Sequence, residues 1–294
     1  MKVMLTGASG FVGSQVGIRL QARHNLLGLI HTSRRPLPFD SKSLDLKDFD
    51  LLNGTLDYFK PDVILHTAAL SQVIPCEDSP ELADRINTDA TRQIASWASK
   101  NAGRLIFIST DQVFDGHNGG YSEQELPNPV NHYGLTKYRA EQAVLSASPR
   151  NLVVRSNSVV GPSIGWGSSF TDRLIEDFKA GRQVSLFNDQ YRSPIYIRRM
   201  VDVLESCVNS ELNGILHAGG PEKQSRLETG TALATAYGFD MSLIRTASYH
   251  SHPRADIMHP DGSFDTTLLS VTFPCIAWRP LELEFREDAQ QNPN

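Results

Sequence analysis

Residues 2–20 constrain the fold more than any other stretch. Lys2 to Thr6 is a short apolar run, Gly7-Ala8-Ser9-Gly10-Phe11-Val12-Gly13 follows at once, and Val16, Ile18 and Leu20 continue in a helix-compatible segment. Strand, glycine turn and helix start stand in the order that opens a parallel α/β sheet. Glycines let the backbone turn tightly and approach a pyrophosphate, whose charge then sits among the free N–H groups of a helix N-terminus. The spacing Gly-x-x-Gly-x-x-Gly departs from the usual dinucleotide fingerprint by one residue between the first two glycines. A tight turn alone would use the same glycines. Their place at the first strand-to-helix junction favours cofactor binding through Gly7, Ser9, Gly10, Phe11 and Val12.

The alternation continues along the chain. Leu26 to His31 reads as a second buried strand ending in Thr32-Ser33-Arg34-Arg35, where a NAD-binding unit often carries an acidic residue. Ser33, Arg34 and Arg35 suit the 2′-phosphate of NADP, so NADP(H) is expected over NAD(H), the plainer reading being arginines that solvate a loop. Asp45, beside Leu46, stands within reach of an adenine amino group or caps the helix that runs to Phe59. Val63 to His66 is the next strand, and the small residues Thr67, Ala68 and Ala69 after it let the backbone lie against a cofactor. Ser79-Pro80-Glu81 predicts a capped helix start, with Leu82, Ile86, Ala90, Ile94 and Trp97 as the buried stripe and Asn87 as a surface residue. Arg104 to Ser109 is the fourth strand, its polar end facing the crevice where ligands collect at the carboxyl edge of a parallel sheet. Tyr133 and Lys137 lie one helical turn apart, which brings their Cβ atoms to about 5–6 Å. A lysine cation there lowers a phenol from its ordinary pKa of about 10 and makes it a usable general acid or base. Strand and helix in strict alternation predict an α/β fold with a doubly wound parallel sheet.

With 294 residues, 40% of them hydrophobic, the chain can bury a large core. The expected division is a dinucleotide-binding domain over 1–156, with later segments (roughly 184–218) returning to it, and a smaller α+β substrate lobe over the remainder of 157–294. No linker rich in Pro, Gly or Ser separates them, so the lobes interleave. Helices are expected over 169–180, 197–208 and 226–237, and strands over 184–187 and 214–218, with Phe187, Arg192 and Tyr196 towards the substrate. A net charge of −5 without a single-sign block gives no footprint for nucleic acid or an anionic membrane. No apolar run reaches the roughly 18 residues of a membrane span, so a soluble cytoplasmic protein is expected. Three widely spaced cysteines support neither a disulfide framework nor a zinc site. His250, His252 and His259, near Asp256 and Asp261, match no metal-ligand pattern and predict a solvated loop between prolines, with no metal.

Taken in order, Gly7 to Gly13, Asp45-Leu46, His66-Thr67-Ala68-Ala69, Ser109-Thr110-Asp111-Gln112-Val113-Phe114-Asp115-Gly116, Pro129, Tyr133 and Lys137 resemble the extended short-chain dehydrogenase/reductases. The likeness is greatest to the dTDP-4-dehydrorhamnose reductase-like branch, which also includes the regulatory beta subunit of methionine adenosyltransferase. Asp189-Gln190-Tyr191 with Pro194, and Asp265-Thr266-Thr267-Leu268, extend the likeness over almost the whole chain. The resemblance implies a Rossmann fold and a catalytic triad of Thr110, Tyr133 and Lys137. In such enzymes the hydroxyl orients the substrate carbonyl, the tyrosine passes the proton, and the lysine sets the tyrosine and binds the nicotinamide ribose. Related sugar-nucleotide dehydratases carry a glutamate where Gln112 stands, and rhamnose reductases usually a tyrosine. A glutamine cannot remove a proton from carbon, which argues against 4,6-dehydration. Gly165-Trp166-Gly167-Ser168-Ser169-Phe170 occupies the place of a loop that ends in Asn-Phe in that branch. Gln112, Trp166 and Arg192 are the substrate candidates. The expected activity is NADP(H)-dependent reduction of a keto group on a nucleotide-linked deoxysugar. A cofactor-binding regulatory subunit and a sugar-nucleotide epimerase remain alternatives, and a homo-oligomer stays open.

Overall fold

The computed structural model describes residues 1–32 and 35–291. In chain order its first half contains β1 (Lys2–Thr6), α1 (Phe11–Gln21), β2 (Asn25–Ile30), β3 (Ser41–Ser43), α2 (Phe49–Phe59), β4 (Val63–His66), α3 (Val73–Asp78), α4 (Pro80–Ala83), α5 (Ala90–Lys100), β5 (Arg104–Thr110) and α6 (His132–Ala147). The second half contains β6 (Leu152–Ser156), β7 (Val159–Val160), α7 (Phe170–Lys179), β8 (Val184–Phe187), β9 (Tyr191–Arg192), β10 (Ile195–Tyr196), α8 (Ile197–Val208), β11 (Gly214–Ala218), β12 (Gln224–Ser225), α9 (Arg226–Tyr237), β13 (Ile244–Ala247), α10 (Thr267–Thr272) and α11 (Leu281–Gln291).

Seven strands form one parallel sheet in the order β11-β6-β5-β4-β1-β2-β3. The order reverses between β1 and β4, and a crevice opens at such a switch point, outside the carboxyl ends of the strands. Period-two alternation sends Val3, Leu5, Val63, Leu65, Ile106 and Val154 to one face, where α1 and α8 cover them. Met4, Ile64, Leu105, Phe107 and Val153 go to the other, beneath α2, α5 and α6. In α8, Ile197, Met200, Val201, Leu204 and Val208 are buried at the spacing of one helix face, which packs that helix onto the sheet. The doubly wound parallel sheet is therefore the observed architecture. Among the described residues no helix is long and apolar enough to cross a membrane.

Two expectations need correction here. β8 pairs with β13 in a separate two-stranded sheet, so the segment from 184 does not return to the central sheet as a whole; α8 and β11 do. The predicted stripe on the helix after Ser79 is out of phase at its start. Leu82 is 41% exposed, whereas Ala83, Asn87 and Thr88 are buried. The cause is a π-helical turn, Asp84–Asp89, between α4 and α5. Each wider turn advances the buried face by about one residue, and such bulges occur where function needs them. Ser79 makes no side-chain capping bond, although Pro80 does occupy the first turn.

Candidate active site

The groove over the switch point has a volume of about 520 Å³, within the roughly 300–1,000 Å³ usual for ligand sites. At one end Gly7, with φ +68, makes the turn, and Gly13 packs so closely on the Gly7 carbonyl that any side chain there would collide. Gly10 heads α1 without a capping side chain, and no acidic residue sits in the first turn. The free N–H groups at that end favour an anion. Ser9, Phe11, Val12, Leu46, Ala68 and Ala69 line the same groove. Asp45 stands between the groove-lining Leu44 and Leu46: its Oδ1 accepts from the Lys47 backbone at 3.0 Å, and its carboxylate lies 3.4 Å from Lys47 Nζ and 3.7 Å from Nε2 of His31, which also lines the groove. The cap of α2 is Asp48, which accepts from Leu51 N. Ser33 and Arg34 lie outside the described residues. The Arg35 carbonyl accepts from Trp166 Nε1 at 3.3 Å. That bond places Trp166 over the loop after β2, beside the glycine turn that its neighbour Gly167 packs on.

Thr110, Tyr133 and Lys137 meet at the other end of the groove. Thr110 ends β5, while α6 carries the other two. Asn131 caps α6 by accepting from Gly134 N at 2.8 Å, and Gly134 lies hard against the Gln112 carbonyl, where a side chain would not fit. The helix is thereby seated on the turn after β5. The Thr110 hydroxyl contacts the Tyr133 phenol and donates to Asp111 Oδ1 at 3.0 Å. The Lys137 ammonium lies 3.9 Å above the Phe107 ring. Burial pushes the Tyr133 phenol above its usual range, with the Thr110 hydrogen bond opposing. Burial also brings Lys137 down to about 7, against the pull of Glu141. The expected depression of the phenol by Lys137 is not met, because burial dominates at Tyr133.

Asn87, expected at the surface, is buried under this site. Its Oδ1 accepts from Leu70 N at 2.8 Å, and its Nδ2 donates to the Leu70 carbonyl and to Thr136 Oγ1, each at 3.0 Å. Thr88 donates to the Thr136 carbonyl at 3.0 Å. The π-helical turn thus grips α6 between Tyr133 and Lys137.

A second cavity, of about 390 Å³, adjoins the far side of Asp111 and is lined by Gln112, Arg173, Arg192, Arg226, Arg254 and His259. No carboxylate lines it among the described residues. Arg192 Nε pairs with Asp111 Oδ2 at 2.9 Å, and His259 Nε2 stands 3.2 Å from the same oxygen. Burial alone would raise Asp111, but Arg192, His259 and Thr110 outweigh it and hold the carboxyl at about 2. Arg226 has Ser158 Oγ at 3.1 Å and the Phe170 ring at 4.7 Å; burial, then Arg192, lowers it to about 10. The Gln112 Oε1 accepts from Asn131 Nδ2 at 3.0 Å, which turns its NH₂ towards Asp111 and the cavity. Phe187 and Tyr196 line neither space; Tyr196 packs on Phe285 at 5.8 Å. The loop expected to be solvated sends His259 inward, 1% exposed. Its contacts lie 67 and 148 residues away in sequence, so no local pattern announces it. Asn131 could have been found as the cap before the Tyr133 helix. Among the described residues no group of His, Cys, Asp and Glu is arranged to hold a metal.

Glycine turn, parallel switch point and the Thr-Tyr-Lys cluster define an NAD(P)-dependent oxidoreductase of the extended short-chain dehydrogenase/reductase class. The chain belongs to the RmlD substrate-binding domain family, which matches residues 1–280. The dTDP-4-dehydrorhamnose reductase of Mycolicibacterium smegmatis is 32% identical over 257 residues, 86% of this chain and 74% of that one. Methionine adenosyltransferase 2 subunit beta of Bos taurus is 28% identical over 251 residues, 83% of this chain and 74% of its own. The crystal structure of dTDP-4-dehydrorhamnose reductase from Bacillus anthracis in complex with NADP superposes with a TM-score of 0.85 at 25% identity, covering 98% of this chain and 97% of that one.

Proposed function

We propose that the protein is a cytoplasmic NADP(H)-dependent reductase of a keto group on a nucleotide-linked deoxysugar, the reaction type of the dTDP-4-dehydrorhamnose reductases. The observation that carries this reading is the meeting of two spaces at Thr110-Asp111-Gln112. One is a groove suited to a dinucleotide, and the other is a cavity lined with arginines and, among the described residues, by no carboxylate. Residues 1–156 with the segments returning to the sheet hold the cofactor, and the remaining lobe holds the substrate. The Gly7–Val12 turn takes the pyrophosphate, and Arg34 and Arg35 take the 2′-phosphate. The bound cofactor supplies the hydride. Thr110 orients the carbonyl, Tyr133 donates the proton to the developing alkoxide, and Lys137 binds the ribose hydroxyls. Arg173 and Arg226 offer their charge to the substrate's diphosphate, whereas Arg192 is committed to Asp111. Gln112 presents N–H groups and has no basic atom to start a dehydration. Titration of protein fluorescence with NADPH and with NADH tests the reading. Tighter binding of NADPH is expected; failure to bind either nucleotide would overturn it.

The likeness to methionine adenosyltransferase 2 subunit beta supports a second reading, a regulatory subunit with an intact but idle triad. Co-purification with a partner enzyme, and no NADPH consumption over a panel of keto sugar nucleotides, would favour it.

A further inference from the structure

One buried ion pair stands directly behind the site's lysine. Glu141 follows Lys137 by one turn on α6, so their Cβ atoms lie about 5–6 Å apart. Glu141 and Arg155 are each 1% exposed. Arg155 holds the carboxylate in a fork, Nε to Oε1 at 3.0 Å and Nη2 to Oε2 at 2.8 Å. Its remaining nitrogen, Nη1, donates to His217 Nε2 at 3.3 Å, while His217 Nδ1 donates to the Tyr121 carbonyl at 3.0 Å. These partners fix a neutral imidazole with its lone pair on Nε2. Burial, and then Arg155, keep it neutral, at about 3. Among the described residues Arg155 therefore has a single anionic partner, and that partner is one turn from Lys137.

Among the described residues, the other titratable groups beside Lys137, namely Tyr133, Cys76 and His66, carry no charge at pH 7. Tyr133 on the same helix is pushed up by burial; burial also raises Cys76 of α3 to about 11 and lowers His66 of β4 to about 3. β5 contributes the Phe107 ring. Asp111, beyond Thr110, is engaged by Arg192 and His259. We propose that Glu141, fixed by Arg155, is a positioning residue whose carboxylate keeps the Lys137 amine protonated inside the site. The inference rests on the reductase reading, in which a protonated lysine serves the ribose hydroxyls and the phenol.

Lys137 is 2% exposed, and that part of it lines the groove, the side from which a reagent as small as acetic anhydride would approach. The test is trace acetylation of the full-length protein by acetic anhydride from neutral to alkaline pH, with modification of Lys137 read by peptide mass spectrometry. Reactivity rises as the amine loses its proton, and for the unaltered protein it should be half-maximal near pH 7. In Glu141→Gln the midpoint should fall by about one unit or more, the usual effect of losing an opposite charge at this range. Because that variant strands the Arg155 charge, Glu141→Gln combined with Arg155→Met provides a neutral pair that folds more readily. The nearer charge dominates at Lys137, so the double variant should show a fall as well. An unchanged midpoint in either folded variant would overturn the proposal and leave the pair as a clamp between α6 and β6. The readout needs neither substrate nor cofactor, so a failure of the reductase reading would show separately, as a protein that binds no NADPH.

Discussion

A buried phenol pushed above its ordinary range is protonated at neutral pH, and that is the state a reduction needs from Tyr133. Tyr133→Phe should therefore lower turnover by about 10²–10⁴-fold, the usual range for a lost proton donor. NADPH affinity by fluorescence titration should change little; equal loss of both would make the tyrosine structural. On the substrate side, Arg226 lines a cavity with no carboxylate in its wall among the described residues, and the Asp111 carboxylate that acts on it is already paired with Arg192. Arg226→Met removes a charged hydrogen bond worth about 1.5–3 kcal/mol, which corresponds to a rise in KM of one to two orders of magnitude at nearly constant kcat. A drop in kcat at constant KM would move Arg226 out of substrate binding.

At the scale of elements, the π-helical turn couples the cofactor groove to α6. Asn87 satisfies both backbone groups of Leu70 and binds Thr136, which itself donates to the Tyr133 carbonyl at 2.8 Å. Asn87→Ala should cost about 1–3 kcal/mol in urea unfolding, because the half-buried Leu70 N–H loses its partner, whereas the Leu70 carbonyl keeps the Cys76 thiol. A cost well below that would mean the turn relaxes or water replaces the amide. The same element explains where sequence reasoning misses. Helical periodicity phases correctly from Ala90 onward and fails before it, because an inserted wider turn leaves no mark in composition. The strands of the central sheet other than β3 were legible, since apolar runs between turn residues mark them; β3, Ser41–Ser43, has no apolar residue, and the short strands of the smaller sheets were not foreseen apart from β8. The glycine turn and the Tyr133–Lys137 pair were legible for the same reason: each is set by local spacing. The inward place of His259 was not, because its partners lie far along the chain and loop closure obeys no short period.

For the whole molecule, buried histidines set the acid limit. His66 receives the Thr6 hydroxyl at Nδ1 (2.6 Å) and meets Thr91 Oγ1 at Nε2 (2.9 Å). Burial, assisted by Lys137, lowers it to about 3, the level of His217. Each ring stays neutral in the folded protein while the unfolded chain takes up a proton below about pH 6.5. Stability is thus fully present above that pH and is lost as pH falls towards 3, by about 1.4 kcal/mol per unit and per histidine. Asp111, held at about 2, adds to the loss only below about pH 4. Lys137 acts oppositely: its folded value of about 7 is depressed, so its penalty is complete below that pH and is relieved as pH rises towards about 10.4. Urea unfolding at mildly acidic pH should show a much lower midpoint than at neutral pH, and a flat profile would mean that these rings are hydrated.

The reductase claim itself is tested most directly by mixing the purified protein with NADPH and dTDP-4-dehydrorhamnose and following NADPH absorbance alongside the sugar nucleotide by mass spectrometry. The account predicts that NADPH is consumed in equal measure with a two-hydrogen gain on the sugar nucleotide, and that Tyr133→Phe abolishes both. Binding of NADPH without consumption, over this and other keto sugar nucleotides, would contradict it.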